Sequence, residues 1–229
     1  MMAKQTRCWA ASVIVLAWAA TAAAAGGGEP GVTADDALRR LMAGNKRFVE
    51  SHLEHHHLTI KETRAELVRG QKPYAIILSC SDSRVPPEIV FDQTLGQLFV
   101  VRVAGNVLDP VVLGSIEYAV EHLGSPLIMV LGHEACGAVT AAFDADGKAA
   151  GNVEAVIDLI KPAVQKVRDT MKDRSRAEQT EAAIDSNIDL VAGNLTVRSS
   201  LIKDYVDRGK LKIVKGKYHL RRGEVTLLK

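Results

Sequence analysis

The segment PYAIILSCSDSRV, residues 73–85, contains a short apolar run that ends directly at a cysteine followed by an aspartate. A near-continuous apolar run of this length is typical of a strand that is buried on both faces of a sheet. The segment PLIMVLGHEACG, residues 126–137, repeats this arrangement with a histidine and a second cysteine after the run. The two segments therefore predict two buried strands that each end in polar, reactive side chains.

The rest of the chain predicts helices and strands in alternation. The further predicted elements are a leading helix capped by Thr33, a short helix over 59–70, a strand over 97–105, a helix over 110–124, two long helices within 152–209 joined around 173–175, and two β segments over 212–220 and 224–229. Strands that alternate with helices are typical of a parallel sheet with helices on its faces. We therefore predict an α/β fold with a mainly parallel sheet flanked by α-helices.

Three side chains near the predicted strand ends favour a metal site. Ligands of parallel α/β sheets bind beyond the carboxyl ends of the strands, and Cys80 and His133 lie at two such ends. Thiolate and imidazole are ligands that zinc prefers, and a catalytic zinc has three protein ligands and a fourth position for water. Cys80, His133 and Cys136 supply that set. Spacing alone leaves two alternatives open, a Cys80–Cys136 disulfide and a buried histidine that only packs.

Asp82 and Arg84 add chemistry that a disulfide does not need. A carboxylate two residues beyond Cys80 can face the metal, so Asp82 is a fourth candidate ligand. Arg84 can instead engage this carboxylate through two hydrogen bonds. We expect the Asp82–Arg84 pair at neutral pH. Gly132 and Gly137 flank the histidine–cysteine pair, and we expect them to supply the permissive backbone angles of a tight turn.

The order CSDSRV and then EYAVEHLGSPLIMVLGHEACG resembles the β-class carbonic anhydrases, and the similarity runs from about residue 34 to the C-terminus. The resemblance implies zinc bound by Cys80, His133 and Cys136, with Asp82 and Arg84 as the carboxylate–arginine pair of the family. It also implies reversible hydration of carbon dioxide to bicarbonate and a proton by a zinc-bound hydroxide. The nearest alternative is a hydrolase of carbonyl sulfide or carbon disulfide with the same fold.

The resemblance further implies a small, mostly apolar substrate pocket. Its predicted residues are Gln71, Phe99, Tyr118 and Gly137. In this family the pocket forms at a dimer interface, so we expect a homodimer or homotetramer. Many members read R-N-x-A-N after the second strand where this chain reads RVAGN, and we expect Gly105 to loosen that turn.

The N-terminus predicts export. Lys4 and Arg7 precede an apolar run and a stretch of small residues with several A-x-A cleavage choices, as in a secretory signal peptide. A short membrane anchor is the alternative. We predict a signal peptide over 1–25, a linker over 26–33, a catalytic domain over 34–229, and a periplasmic enzyme.

Cleavage after Ala25 would remove two of the 29 Lys and Arg residues and none of the 27 Asp and Glu residues, leaving 27 of each. A neutral chain gives no electrostatic reason to expect nucleic acid or anionic membrane as a partner. The expected partner is therefore the small-molecule substrate, carbon dioxide or bicarbonate.

Overall fold

A five-stranded sheet with helices on both faces forms the centre of the domain. The computed structural model describes residues 31–54, 61–145, 147 and 149–229. The strands are β1 (Ala75–Ser79), β2 (Leu98–Arg102), β3 (Leu127–His133), β4 (Lys212–Tyr218) and β5 (Val225–Leu228), in the order β2-β1-β3-β4-β5. The first four pair in parallel, and β5 runs antiparallel to β4. The predicted α/β fold with a mainly parallel sheet is confirmed.

The sheet buries both of its faces. Ile76 and Leu78 of β1 pack into one cluster and Ala75 and Ile77 into the other, because neighbouring side chains of a strand point to opposite faces. The cluster that contains Ala75 includes residues of α1 (Ala34–Val49) and α3 (Pro87–Val90). The cluster that contains Ile76 includes residues of α4 (Pro110–Glu121), α5 (Gly137–Asp144), α6 (Val153–Thr170), α7 (Arg176–Arg198) and α8 (Ser200–Asp207). A short helix α2 (Lys61–Leu67) precedes β1.

Helix α1 begins and docks as its sequence requires. The hydroxyl of Thr33 accepts a hydrogen bond from the Asp36 N–H at 3.1 Å, so the predicted N-cap is confirmed. Buried Asn45 donates to the carbonyls of Val90 and Gly223 and accepts from the Val225 N–H. One amide side chain therefore joins α1 to the loop before β5 and to the end of α3.

The C-terminal helical region differs from the prediction, since it contains three helices instead of two. Ser199 has extended backbone angles and separates α7 from α8. Its hydroxyl accepts from the Ile202 N–H at 3.1 Å and donates to the Glu117 carboxylate at 2.5 Å. The first N–H groups of a helix have no acceptor within the helix, and a serine at the helix start supplies one. The contact of Ser199 with Glu117 of α4 also favours the separation of α7 from α8.

The predicted signal peptide and most of the predicted linker lie outside the described residues. Within the part of the chain that the structure does describe, no helix is both long and apolar enough to cross a bilayer.

The space around two helical glycines, one in α1 and one in α7, predicts opposite effects of alanine on stability. A Cβ at Gly44 would lie 1.8 Å from the Phe91 carbonyl oxygen, whereas a Cβ at Gly193 in α7 would meet nothing within 4 Å. We expect Gly44→Ala to lower the free energy of unfolding by about 1–3 kcal/mol, because backbone must move to admit the methyl group. Gly193→Ala should raise it by up to about 1 kcal/mol through helix propensity. Urea denaturation at one protein concentration measures both, and equal effects would contradict the described docking.

Candidate metal centre

The ends of two neighbouring strands and the start of one helix bring three ligand side chains together. Cys80 directly follows β1, and His133 is the last residue of β3, which pairs in parallel with β1. Cys136 is the N-cap residue of α5. All three are buried, and their sulfur and nitrogen ligand atoms lie within 4.8 Å of one another. The structure thus assembles the predicted ligand set.

The donors of this group fit zinc. Cys80 and Cys136 are free thiols, so the disulfide alternative is not what the structure forms. The Nδ1 atom of His133 lies 2.8 Å from the carbonyl oxygen of Glu134, which requires Nδ1 to be the protonated nitrogen. Nε2 is buried and forms no hydrogen bond of good geometry with any described residue. A buried, unsatisfied nitrogen is costly in a histidine that only packs, whereas a metal ligand uses that lone pair.

The two cysteines share a proton, and the three ligand side chains alter one another's pKa. The Cys136 thiol donates to the Cys80 sulfur and lowers the pKa of Cys80, and the Gly105 N–H adds a donor at 3.3 Å. The same shared proton, together with burial, raises the pKa of Cys136. Burial lowers the pKa of His133, but the neighbouring Cys80 sulfur outweighs this and the net shift is upward. The proton shared by the two thiols therefore favours the ionised form of Cys80 over that of Cys136.

Asp82 lies beside the ligands and is engaged by Arg84. The Arg84 Nε and Nη2 atoms donate to the two carboxylate oxygens of Asp82 at 2.9 and 2.6 Å. These bonds hold the pKa of Asp82 well below its usual range. Asp82 Oδ2 lies 3.8 Å from His133 Nε2, but the group able to hold a metal consists of the two cysteines and the histidine. The expected Asp82–Arg84 pair is present, and Asp82 as a fourth ligand stays a prediction.

The lowered pKa of Asp82 determines the pH range in which the Asp82–Arg84 ion pair contributes to stability. The folded-state pKa lies below the unfolded value of about 3.9, so the contribution of the pair to stability is fully present above that value. It is lost only as the pH falls through the lower, folded-state pKa. Asp82 is therefore ionised throughout the neutral and mildly acidic range.

The expectation that Gly132 and Gly137 supply permissive backbone angles is wrong. Neither has a positive φ, and the residue of the turn that does is Ala135, at 50°. Gly132 instead permits a close approach, because a Cβ there would lie 2.5 Å from Ile188 Cδ1 of α7. Gly137 opens α5, and a Cβ there would meet nothing within 4 Å.

The expectation that Gly105 loosens the turn after β2 is also wrong. Gly105 is buried with φ 67°, and a Cβ on it would lie 2.6 Å from Ile160 Cδ1. Its N–H reaches the Cys80 sulfur and its carbonyl accepts from Asn187. The turn is thus held in place by packing and by two hydrogen bonds.

Residues distant in sequence also hold the backbone of the segments that carry the ligands. Arg102, at the end of β2, donates to the carbonyls of Cys80 and Asp82 at 3.0 and 2.6 Å. Arg102 could have been identified from the sequence, because it lies at the end of the predicted strand next to the one that Cys80 follows. Glu181 of α7 accepts from the Ala135 N–H at 3.0 Å and pairs with buried Lys217 of β4, also at 3.0 Å. The local sequence around Glu181 carries no such signal.

The predicted substrate residues do not all lie at the metal centre of one chain. Phe99 in β2 pairs with Ile76 near the start of β1, and its ring lies 6.3 Å from that of half-exposed Tyr118 in α4. Gly137 adjoins the ligand Cys136. Gln71 is exposed before the amino end of β1, whereas Cys80 follows its carboxyl end. One chain therefore does not bring Gln71 to its own metal centre. The groove that Gln71 lines is otherwise formed by Arg64, Leu67, Val68, Gly70, Leu95 and Gly96.

Comparison with known proteins agrees with this geometry. Residues 75–225 match the family model described as carbonic anhydrase. Carbonic anhydrase 2 of Mycobacterium tuberculosis is 44% identical over 194 residues, which cover 83% of this chain and 91% of that protein. The chain belongs to the carbonic anhydrase family. The carbonic anhydrase of Synechococcus elongatus is 28% identical over 82% of this chain and 70% of its own length.

Solved structures place this carbonic anhydrase in the β class. The β-carbonic anhydrase CcaA superposes with a TM-score of 0.69 at 27% identity, over 84% of this chain and 87% of that one. The Coccomyxa β-carbonic anhydrase in complex with acetazolamide gives 0.69 at 25% identity, over 83% and 86%. Two tetrameric β-carbonic anhydrases from Sordaria macrospora share the fold, at 0.68 and 21% identity over 83% and 96%. The resemblance seen in the sequence is confirmed.

Membership of this family establishes the reaction and the cofactor. Carbonic anhydrases catalyse the reversible hydration of carbon dioxide to bicarbonate and a proton, and the β class uses zinc. The buried cysteine–histidine–cysteine group of this chain is arranged to hold that metal. The roles of individual residues in the reaction stay predictions.

Proposed function

We propose that this β-carbonic anhydrase hydrates carbon dioxide with zinc on Cys80, His133 and Cys136 and with Asp82 orienting the attacking oxygen. One observation carries the assignment of Asp82. An ionised carboxylate, held by two hydrogen bonds from Arg84, lies 3.8 Å from the metal-facing nitrogen of His133. A structural zinc site is closed by four protein ligands and needs no such pair, whereas a three-ligand site leaves a position for water.

Zinc on these ligands would lower the pKa of a bound water and so supply hydroxide. The value of about 7 belongs to carbonic anhydrases with three histidine ligands, and we expect a higher pKa here because two thiolates make the zinc less electropositive. The protein orients the reactants. The Asp82 carboxylate accepts a hydrogen bond from the attacking oxygen and directs its lone pair toward the carbon of the substrate. Arg84 keeps that carboxylate ionised, and its Nη2 also lies 3.4 Å from the Ala135 carbonyl. The family resemblance assigns Phe99 and Tyr118 to an uncharged pocket wall suited to an apolar gas, and Phe99 pairs with Ile76 near the start of β1, away from Cys80 of the same chain.

Two variants separate metal binding from orientation. We expect Asp82→Asn to retain about one zinc per chain and to lose roughly 10²–10⁴-fold in turnover, because the asparagine amide presents one acceptor and no charge. His133→Ala should lose both zinc and turnover. Stopped-flow hydration of carbon dioxide, with zinc content determined on the same samples, measures this.

Asp36→Asn, which removes a surface aspartate paired with Arg39 on α1, is the matched control and should behave as wild type. Full turnover by Asp82→Asn would refute the assigned role. A zinc-loaded wild-type protein that hydrolyses carbonyl sulfide and does not hydrate carbon dioxide would favour the alternative substrate.

We propose that the enzyme is a homodimer or homotetramer in which Gln71 of the partner subunit completes each substrate pocket. Gln71 lies at the opposite end of β1 from Cys80, so a second chain has to supply it if it contacts substrate. Exposed apolar side chains lie near it, with Val68 86% and Leu95 43% exposed, as an interface would require. The Sordaria proteins of the same fold are tetramers.

Mixed oligomers test this arrangement. Co-expressed Gln71→Ala and Asp82→Asn chains should show more activity than either parent, because each hybrid dimer contains one pocket with an intact Asp82 and an intact Gln71 from the partner. Random pairing in a symmetric dimer predicts about a quarter of wild-type activity. A monomeric mass by sedimentation, or activity no higher than the mean of the parents, would contradict the proposal.

We also propose that residues 1–25 direct export to the periplasm and are then removed. The support is the order of Lys4 and Arg7, an apolar run and small residues. In a Gram-negative host, the enzyme should fractionate with the periplasm and begin near Gly26 by N-terminal sequencing. A chain lacking residues 2–25 is the control and should stay in the cytoplasm. An uncleaved chain in the membrane fraction would favour the anchor.

A further inference from the structure

Gly105 forms hydrogen bonds in two directions, one of them to a metal ligand. Its N–H donates to the Cys80 sulfur at 3.3 Å, and its carbonyl accepts from the Asn187 Nδ2 atom at 2.9 Å. Asn187 is a residue of α7, 82 positions further along the chain, and is 1% exposed. A buried amide side chain is therefore connected to the ligand sulfur through one residue.

The backbone at Gly105 needs such a restraint. Its angles, φ 67° and ψ 15°, lie in the left-handed region that glycine adopts readily, and glycine also adopts many others. The N–H points at Cys80 only while these angles persist. Ile160 and Ala138 enclose the glycine from one side, and the hydrogen bond from Asn187 holds the carbonyl that follows.

The position of Asn187 is itself fixed by the packing of α7 against β3, the strand that ends at His133. The next residue, Ile188, lies against Gly132, where even a Cβ would come within 2.5 Å of its side chain. Gly132 directly precedes the ligand His133 in β3. Helix α7 is thus held against one ligand strand while its amide restrains the turn that contacts the other ligand.

We propose that Asn187 is a positioning residue of the zinc centre, which keeps the Gly105 N–H directed at the Cys80 sulfur before and after the metal binds. A donor to a thiolate fixes the direction of its lone pairs and withdraws charge from the sulfur. Changes in such outer contacts commonly alter metal affinity 10–100-fold. The inference rests on the proposed zinc site but not on turnover, so its test uses metal binding.

The chain offers a matched control for this test. Asn45 is also a buried asparagine, 3% exposed, and its amide likewise donates to backbone carbonyls, but it joins α1 to α3 and to the loop before β5. The variants are Asn187→Leu and Asn45→Leu, each of which removes a buried amide. Zinc affinity is measured by competition with a chelator, and the sulfur-to-metal charge-transfer band is recorded with Co²⁺ in place of zinc.

We expect Asn187→Leu to weaken zinc binding about 10-fold or more and to move the Co²⁺ band to longer wavelength, because the sulfur loses a donor. Asn45→Leu should lower the melting temperature and leave the affinity and the band unchanged. Wild-type affinity and spectrum in Asn187→Leu, or equal changes in Asn45→Leu, would overturn the proposal. Asn187→Ala removes the same amide with less bulk and decides the question if the leucine variant does not fold.

The outcome is separable from the proposed function. A wild-type protein that binds one zinc and hydrates no carbon dioxide would refute the activity, while the two asparagine variants would still support or refute the role of Asn187. A wild-type protein that binds neither zinc nor Co²⁺ would overturn both.

Discussion

The parallel pairing of β1 with β3 is the constraint on which the metal centre depends. Ser79 lies opposite Leu131, so Cys80 is one residue and His133 two residues beyond this pair. Neighbouring strands are about 4.8 Å apart, a spacing that suits two ligands of one ion. A slip of two residues would preserve which side chains face each core cluster but would move the strand ends apart by about 6.6 Å. Packing of specific side chains therefore has to select this register.

Two arginines surround the cysteine sulfurs of the centre. The proton shared by these sulfurs lowers the pKa of Cys80 and raises that of Cys136. Arg84 and Arg102 bind the backbone and the carboxylate of the segment that follows Cys80. Arg84 donates to both oxygens of Asp82 and holds the carboxylate 3.8 Å from His133 Nε2. The same arginine lowers the pKa of Asp82, and the proposed mechanism leaves the fourth position to water.

Strands and ligands could be predicted from the sequence because both are local patterns. Apolar runs identify buried strands, and the rule that parallel strands end at one rim is enough to place Cys80 and His133 at the same edge of the sheet. The break at Ser199 and the reasons for the glycines at 105 and 132 could not be predicted in this way. Each depends on a contact with a distant element, with Glu117, Asn187 or Ile188 respectively. The role of Gln71 could not be predicted from one chain either, since the pocket that it is proposed to complete belongs to a second chain.

The salt bridge between Glu181 and Lys217 has a consequence for the order in which the enzyme matures during synthesis. All three ligands have been synthesised once the chain reaches residue 136, but Ala135 lacks the Glu181 acceptor for its N–H until α7 is made, and Glu181 lacks the Lys217 charge until β4 follows. Asn187 and the strand that flanks β3 also come from this last third of the chain. The nascent chain thus carries the ligands of the site before it carries the scaffold, and we expect these ligands to hold a metal firmly only after α7 and β4 have been made.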